Sequence, residues 1–313
     1  SADTWFIGSN AEQQLKEKIE RIGKPLKDWD VNIYYGIKTG LNEAYIIDSD
    51  KRQEILDDCQ DEKERRRTKA IIKPILRGRD IKRYHYEWAG LWVIIAKFEF
   101  YKESHLYPSI VQHLTRYKEQ LKNRGQCKYD RQSKVYINKD YTGQHHWLEL
   151  DNNPKENYIK EFEKEKVVWG GVVTTKEFFK LRLSFVENGV FINAPANFMI
   201  VSKINYFLGY LNSYLNNWFY NNFIGSVLHK DGIRFYVDDM LKIPIPAITP
   251  TNEPMVKQIE TLVDAILIAK KENPAADTSA LEQQIDRLVY RLYDLTDEEI
   301  KIMEGGKMKE GIG

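Results

Sequence analysis

The sequence predicts an α+β fold: a mixed, sheet-rich body with flanking helices, followed by an antiparallel helical pair. Three observations carry that expectation. Apolar residues recur at helical spacing near both ends, short β-branched segments separated by turn residues fill the middle, and Ile243-Pro244-Ile245-Pro246 interrupts the pattern between them. At 313 residues the chain suffices for one large or two medium domains. A hydrophobic fraction of 42% beside 30% charged residues excludes a disordered chain, a collagen and a disulfide scaffold.

Taken in order, Ser9 and Glu12 form a capping box, and Leu15, Ile19 and Ile22 mark a stripe that stops at Gly23, which predicts a lead-in helix. Extended segments over 31–37 and 44–47 flank the turn residues Lys38, Thr39, Gly40 and Asn42, a pattern that predicts a hairpin with a polar tip. Residues 54–64 are acidic. Residues 63–83 then hold ten Lys/Arg against Glu64 and Asp80, so positive charge is concentrated there. Residues 91–98 read as a strand, and Pro108 opens a helix with Ile110, Leu114, Tyr117 and Leu121 on one face and Gly125 at its end. A second basic run, 116–139, has eight Lys/Arg against Glu119 and Asp130.

Short strands are expected over 166–173, 181–186, 190–193 and 197–201. A long helix over 205–221 should bury Phe207, Leu208, Leu211, Leu215, Trp218 and Phe219. The Ile-Pro-Ile-Pro segment should break any regular element, with Pro250 and Pro254 extending it into a linker. Two helices follow, one on Ile259, Leu262, Val263 and Ile266, the other opened by a Ser279–Glu282 box and using Leu281, Ile285, Leu288, Val289 and Leu292. Thr296 and Glu299 box a terminal helix with Ile300 and Met303. Residues 277–304 carry eight Asp/Glu against Arg287, Arg291 and Lys301, which makes this end a poor surface for DNA.

Lys+Arg number 47 and Asp+Glu 46, so any attraction to a polyanion must come from segregated charge rather than excess. Cys59 and Cys127 sit in unlike contexts with no CxxC spacing, and a reducing, intracellular location is expected. No apolar run reaches the roughly 18 residues of a membrane helix, and the start lacks signal-peptide character. Residues Ser1 to Thr4 are expected to follow a longer upstream segment.

No catalytic residue and no metal-ligand set is assigned. The sequence has no P-loop, GxGxxG, HExxH or GxSxG motif. Asn153-Pro154-Lys155 lacks the second proline of an adenine methyltransferase loop and reads as a turn, while Glu299 and Lys301 behind Asp297 are better explained by helix capping than by a nuclease. Adjacent His145 and His146 point to opposite sides of an extended chain and cannot easily share a metal, which leaves a DNA contact or an ordinary surface or core role. His229 and Lys230, in a glycine-bounded loop ahead of Arg234, suit a phosphate contact or a solvated loop.

Several stretches in shared order resemble the C-terminal specificity domain of the TaqI-like restriction-modification family. They are Trp29-Asp30-Val31; Gly36-Ile37-Lys38-Thr39-Gly40-Leu41-Asn42-Glu43-Ala44; Ile72-Lys73-Pro74-Ile75-Leu76-Arg77-Gly78-Arg79-Asp80-Ile81; and Tyr107-Pro108. Further on come Trp147-Leu148-Glu149-Leu150, Leu211-Asn212-Ser213, the Ile-Pro-Ile-Pro segment and the run from Leu281-Glu282 to Leu292-Tyr293. The resemblance implies a target recognition domain over residues 1–246 that reads double-stranded DNA for an adenine methyltransferase, with or without an endonuclease, followed by a helical spacer or docking segment over 247–313. S-adenosylmethionine, with Mg2+ if the parent also cuts, is expected of those catalytic domains and no cofactor of this chain.

Under that reading, Lys38, Thr39 and Asn42 approach the duplex from the hairpin tip, where Gly36 and Gly40 allow close backbone approach or simply shape the turn. Arg77, Arg79, Lys82 and Arg83 hold phosphates or a guanine edge, and Lys128, Arg131 and Lys134 form a second flank. His145, His146, His229 and Lys230 complete the candidate contacts. The rival expectation is a protein-interaction scaffold that uses the C-terminal helical pair; a free-standing nuclease lacks a supporting carboxylate cluster.

Overall fold

The computed structural model describes residues 10–128, 145–152, 154–173, 181–228 and 232–305. The chain enters through α1 (Asn10–Ile22), which buries Leu15 and Ile19, and passes into β1 (Gly23–Pro25) and β2 (Val31–Tyr35). The expected hairpin does not form. After β2 comes a helical turn, α2 (Asn42–Tyr45), and then β3 (Ile46–Ile47), and the two strands join different sheets. Burial explains the difference: Ala44 and Tyr45 are drawn fully inside, where the Tyr45 hydroxyl donates to the Glu149 carbonyl at 2.9 Å.

Helices α3 (Ser49–Asp57) and α4 (Glu62–Ile71) are capped by the carboxylates of Asp48 and Asp61. β4 (Ile72–Leu76) and β5 (Trp92–Ile94) follow. Next are α5 (Phe100–Glu103), α6 (Pro108–Thr115), α7 (Lys118–Lys122) and α8 (Gly125–Lys128). The single helix expected after Pro108 is thus in pieces, and its second break lets Arg124 turn inward.

Beyond α9 (Glu156–Glu161), the strands β6 (Lys166–Trp169), β7 (Val172–Val173), β8 (Leu183–Val186), β9 (Phe191–Ile192) and β10 (Asn197–Val201) occupy the expected segments. The long aromatic helix is split into α10 (Ile204–Asn212) and α11 (Tyr214–Phe219) at Ser213, whose hydroxyl caps α11, and all six of its expected inward side chains are buried. β11 (Ser226–Leu228), β12 (Gly232–Arg234), α12 (Val237–Met240) and β13 (Pro244–Pro246) follow. The Ile-Pro segment is therefore regular after all. It pairs antiparallel with β1, a position prolines tolerate because the neighbouring Ile243 carbonyl still accepts from Leu26 N–H, at 2.9 Å. α13 (Glu253–Glu272), α14 (Ser279–Leu292) and α15 (Asp297–Gly305) close the described chain.

The cap of α14 lies one residue earlier than expected, with the Thr278 hydroxyl donating to Glu282 at 2.8 Å. The Thr296–Glu299 box is reciprocal, at 2.8 and 3.2 Å. The strands form four sheets: β1-β13, the antiparallel β2-β10-β6-β8, β11-β12-β7, and β3-β5-β4-β9 with a parallel β4–β9 pair. Alternation along β6 and β10 makes their sheet a partition. Val167, Trp169, Met199 and Val201 face a core shared with α1, α10, α11 and the C-terminal helices, whereas Val168 and Phe198 face a second core with β4, β5 and α6. No described helix is long and apolar enough to cross a membrane.

Candidate nucleic-acid interface

β4 delivers the chain into the tight turn Arg77-Gly78-Arg79-Asp80. The Asp80 carboxylate is buried and takes the Arg77 backbone N–H at 2.8 Å, its Nε at 3.0 Å and its Nη2 at 2.7 Å. That hydrogen bonding raises the Arg77 guanidinium above its ordinary pKa and fixes its plane. Three of its five side-chain N–H groups stay unspent. Arg79 points outward and is exposed. The Lys82 ammonium folds back on the Arg79 carbonyl at 2.9 Å, with Glu87 3.6 Å away.

Facing this turn is the Gly170-Gly171 pair between β6 and β7. A Cβ on Gly78 would stand 3.6 Å from the Gly170 Cα, so the two backbones are in contact, and one on Gly171 would fall 2.0 Å from the Pro195 carbonyl oxygen. Arg182 enters from the start of β8, exposed between the buried Leu181 and Leu183, and Asn42 enters from the start of α2. Together they line a cleft of about 610 Å3 in which Asn42, Arg77, Arg79, Lys82 and Arg182 surround apolar patches of Trp169, Leu181, Pro195 and Phe235. Among the described residues no carboxylate lines it, and neither Arg79 nor Arg182 is held in an ion pair.

Four of the residues singled out in the sequence, Asn42, Arg77, Arg79 and Lys82, thus converge. The others do not. Lys38 is exposed with its ammonium 5.8 Å over the Tyr35 ring, and Thr39 is buried, its hydroxyl donating to Asn42 Oδ1 at 2.6 Å. Gly36 is a close-approach glycine toward its own fold: a Cβ there would meet the Asn193 carbonyl carbon at 2.6 Å. Gly40, at φ +71°, lies against the Arg124 side chain.

Arg83 turns away from the cleft to Glu282 at 2.5 Å and to the Asn212 carbonyl. His145 is fully buried, its Nε2 2.5 Å from Gln126 Oε1, and His146 stacks on Tyr101 at 4.8 Å while its Nδ1 accepts from the Leu148 N–H. Both histidines build the 145–150 loop. Lys128 is the last residue of α8. Arg131, Lys134, His229 and Lys230 lie outside the described residues.

Arg182 was not singled out, because counting charge runs ignores a lone arginine. The signal that finds it is alternation: with Leu181 and Leu183 inward, residue 182 must face out. No group of three or more His, Cys, Asp or Glu side chains that could hold a metal occurs among the described residues.

The model of the TaqI-like C-terminal specificity domain matches residues 73–245, more than half of the chain and all of the cleft except Asn42. The chain belongs to the TaqI-like C-terminal specificity domain family. The resemblance read from the sequence stands. Among solved structures, that of the type IIL restriction-modification enzyme MmeI in complex with DNA superposes with a TM-score of 0.59 at 16% identity, over 92% of this chain and 36% of that one. The type IIG restriction endonuclease BpuSI gives 0.44 at 14% identity, over 91% and 34%. This specificity domain therefore spans about a third of the length of the enzymes it resembles, and the likeness to MmeI carries the α+β fold. No curated protein matches the sequence.

Proposed function

We propose that this specificity domain reads double-stranded DNA for a restriction-modification enzyme. The observation that carries the reading is the pair of exposed guanidiniums, Arg79 and Arg182, flanking a glycine-walled cleft that also presents the Asn42 amide. Cations without carboxylate partners suit phosphate oxygens, which supply most of the affinity for DNA, and an amide or a braced guanidinium suits a base edge. In this scheme Arg79, Arg182 and Lys82 hold the backbone, while Asn42, oriented by Thr39, and Arg77, oriented by Asp80, present donors to the groove. Membership of the specificity family and the DNA complex of MmeI support the assignment.

The role extends to placing an adenine for a methyltransferase domain in the same or an associated polypeptide, in a prokaryotic cytoplasm. S-adenosylmethionine, and Mg2+ where the parent cuts, belong to that catalytic part. The test is a titration of random-sequence duplex at salt from roughly 50 to 200 mM. A steep loss of affinity is expected, and the Arg79→Glu/Arg182→Glu double variant should abolish binding while keeping the wild-type melting temperature. Salt-independent binding, or none, would favour the scaffold reading and end this one.

A further inference from the structure

The two cationic arms of the cleft come from distant segments, the 77–83 turn and the strand entry at 181–183, and both are anchored from behind by one break in a helix. At Ser213 the backbone adopts φ −61° and ψ 158°, so α10 does not run on into α11; the Asn212 carbonyl is freed from helical bonding, while that of Ser213 accepts the Asn217 N–H at 3.1 Å as the first bond of α11. Arg83 Nη1 donates to the Asn212 carbonyl. Asn217 Nδ2 donates to the same carbonyl at 3.0 Å and to that of Ser213 at 2.6 Å.

The two asparagine side chains also grip the strand. Asn212 Oδ1 accepts from Leu183 N–H at 3.1 Å and its Nδ2 donates to the Leu183 carbonyl at 3.0 Å, while Asn217 Oδ1 accepts from Leu181 N–H. Arg182 is the residue between. Both asparagines are buried, and neither lines the cleft.

We infer that Asn212 and Asn217 are positioning residues for recognition, setting the separation of Arg182 from the Arg79 turn. The inference rests on the DNA-reading role proposed above. An amide is required because each side chain must donate and accept at once, which neither a carboxylate nor an alkyl group of that size can do. Asp at 217 would keep the bond from Leu181 but turn a carboxylate toward two carbonyls.

The test uses the full chain, with selection from a randomised duplex pool followed by titration of the selected duplex and a scrambled one. Asn217→Asp is expected to lose about tenfold in the selected-to-scrambled affinity ratio, because a displaced backbone contact at Arg182 shifts the register in which Asn42 and Arg77 meet the bases. Its affinity for the scrambled duplex and its salt slope should match wild type, because every cleft cation remains. Arg83→Lys, which keeps the charge but cannot hold Glu282 and the Asn212 carbonyl together, should fall the same way and decides the matter should Asn217→Asp fail to fold.

Folded variants that retain the wild-type ratio overturn the inference and leave the DNA reading standing. A wild-type chain that binds no duplex overturns both.

Discussion

Arg124 illustrates how a residue's charge can mislead about its place. It belongs to a basic run, yet it is 7% exposed, and its guanidinium donates to the carbonyls of Leu121, Thr39, Trp147 and Glu149 at 3.1, 2.8, 3.1 and 2.7 Å. Arg124→Lys should therefore cost about 2 kcal/mol or more, since a lysine ammonium cannot satisfy that set of carbonyls and buried acceptors left unpaired are expensive. Denaturant midpoints would show it. Arg182→Ala should do the opposite: melting unchanged, but the slope of log affinity against log salt reduced by about 1.

The buried His113 offers a pH handle. Its Nε2–H donates to the Ala44 carbonyl at 2.9 Å, and burial lowers its pKa below the ordinary 6.5. Between the folded and unfolded values the unfolded chain binds the extra proton, so stability should fall as pH drops below about 6.5 and level off beneath the folded pKa. His113→Gln should flatten that part of the profile in denaturation measured across pH. Composition alone leaves Arg83, Arg124 and Arg182 alike; their neighbours in space separate them.

At the scale of elements, the contact of α10 with α13 depends on Gly209, where a Cβ would lie 2.7 Å from Ile259 Cγ2 and 2.9 Å from Val263 Cγ2. Gly209→Ala should favour the helix locally yet destabilise the protein by about 1–3 kcal/mol through overpacking, visible as a lower melting temperature. The strands of the middle region and the Thr296 cap were legible because alternation and capping are local signals. The partner of β2 was not: it is β10, well over a hundred residues away, and no turn chemistry at Gly40 announces it. The split at Ser213 was equally hidden, since a serine inside an apolar helical pattern looks tolerable until the freed Asn212 carbonyl before it finds Arg83 and Asn217.

For the whole molecule, the β6/β10 sheet divides two cores, and the C-terminal helices complete one of them with Val256, Ile259, Val263, Ile266, Ile285, Val289 and Tyr293. Each buried aliphatic contributes about 1.5–3 kcal/mol, so a chain ending at residue 246 should lose its cooperative thermal transition, as calorimetry would reveal. A sharp transition in that fragment would show the helices to be an independent appendage. The cleft itself was half legible. Its basic turn stood out, whereas its opposite wall of glycines and a solitary arginine exists only once the sheets assemble.

The pairing of β1 with β13 closes the ends of the recognition lobe on one another. The chain between Pro25 and Pro244 departs and returns through three residue pairs, and beyond them the Lys18 ammonium meets Glu299 at 2.7 Å. A relative's recognition lobe grafted onto this stem would thus need to match that doorway and also the seam where α10 meets α13 and Arg83 meets Glu282, because the lobe and the C-terminal helices share one core.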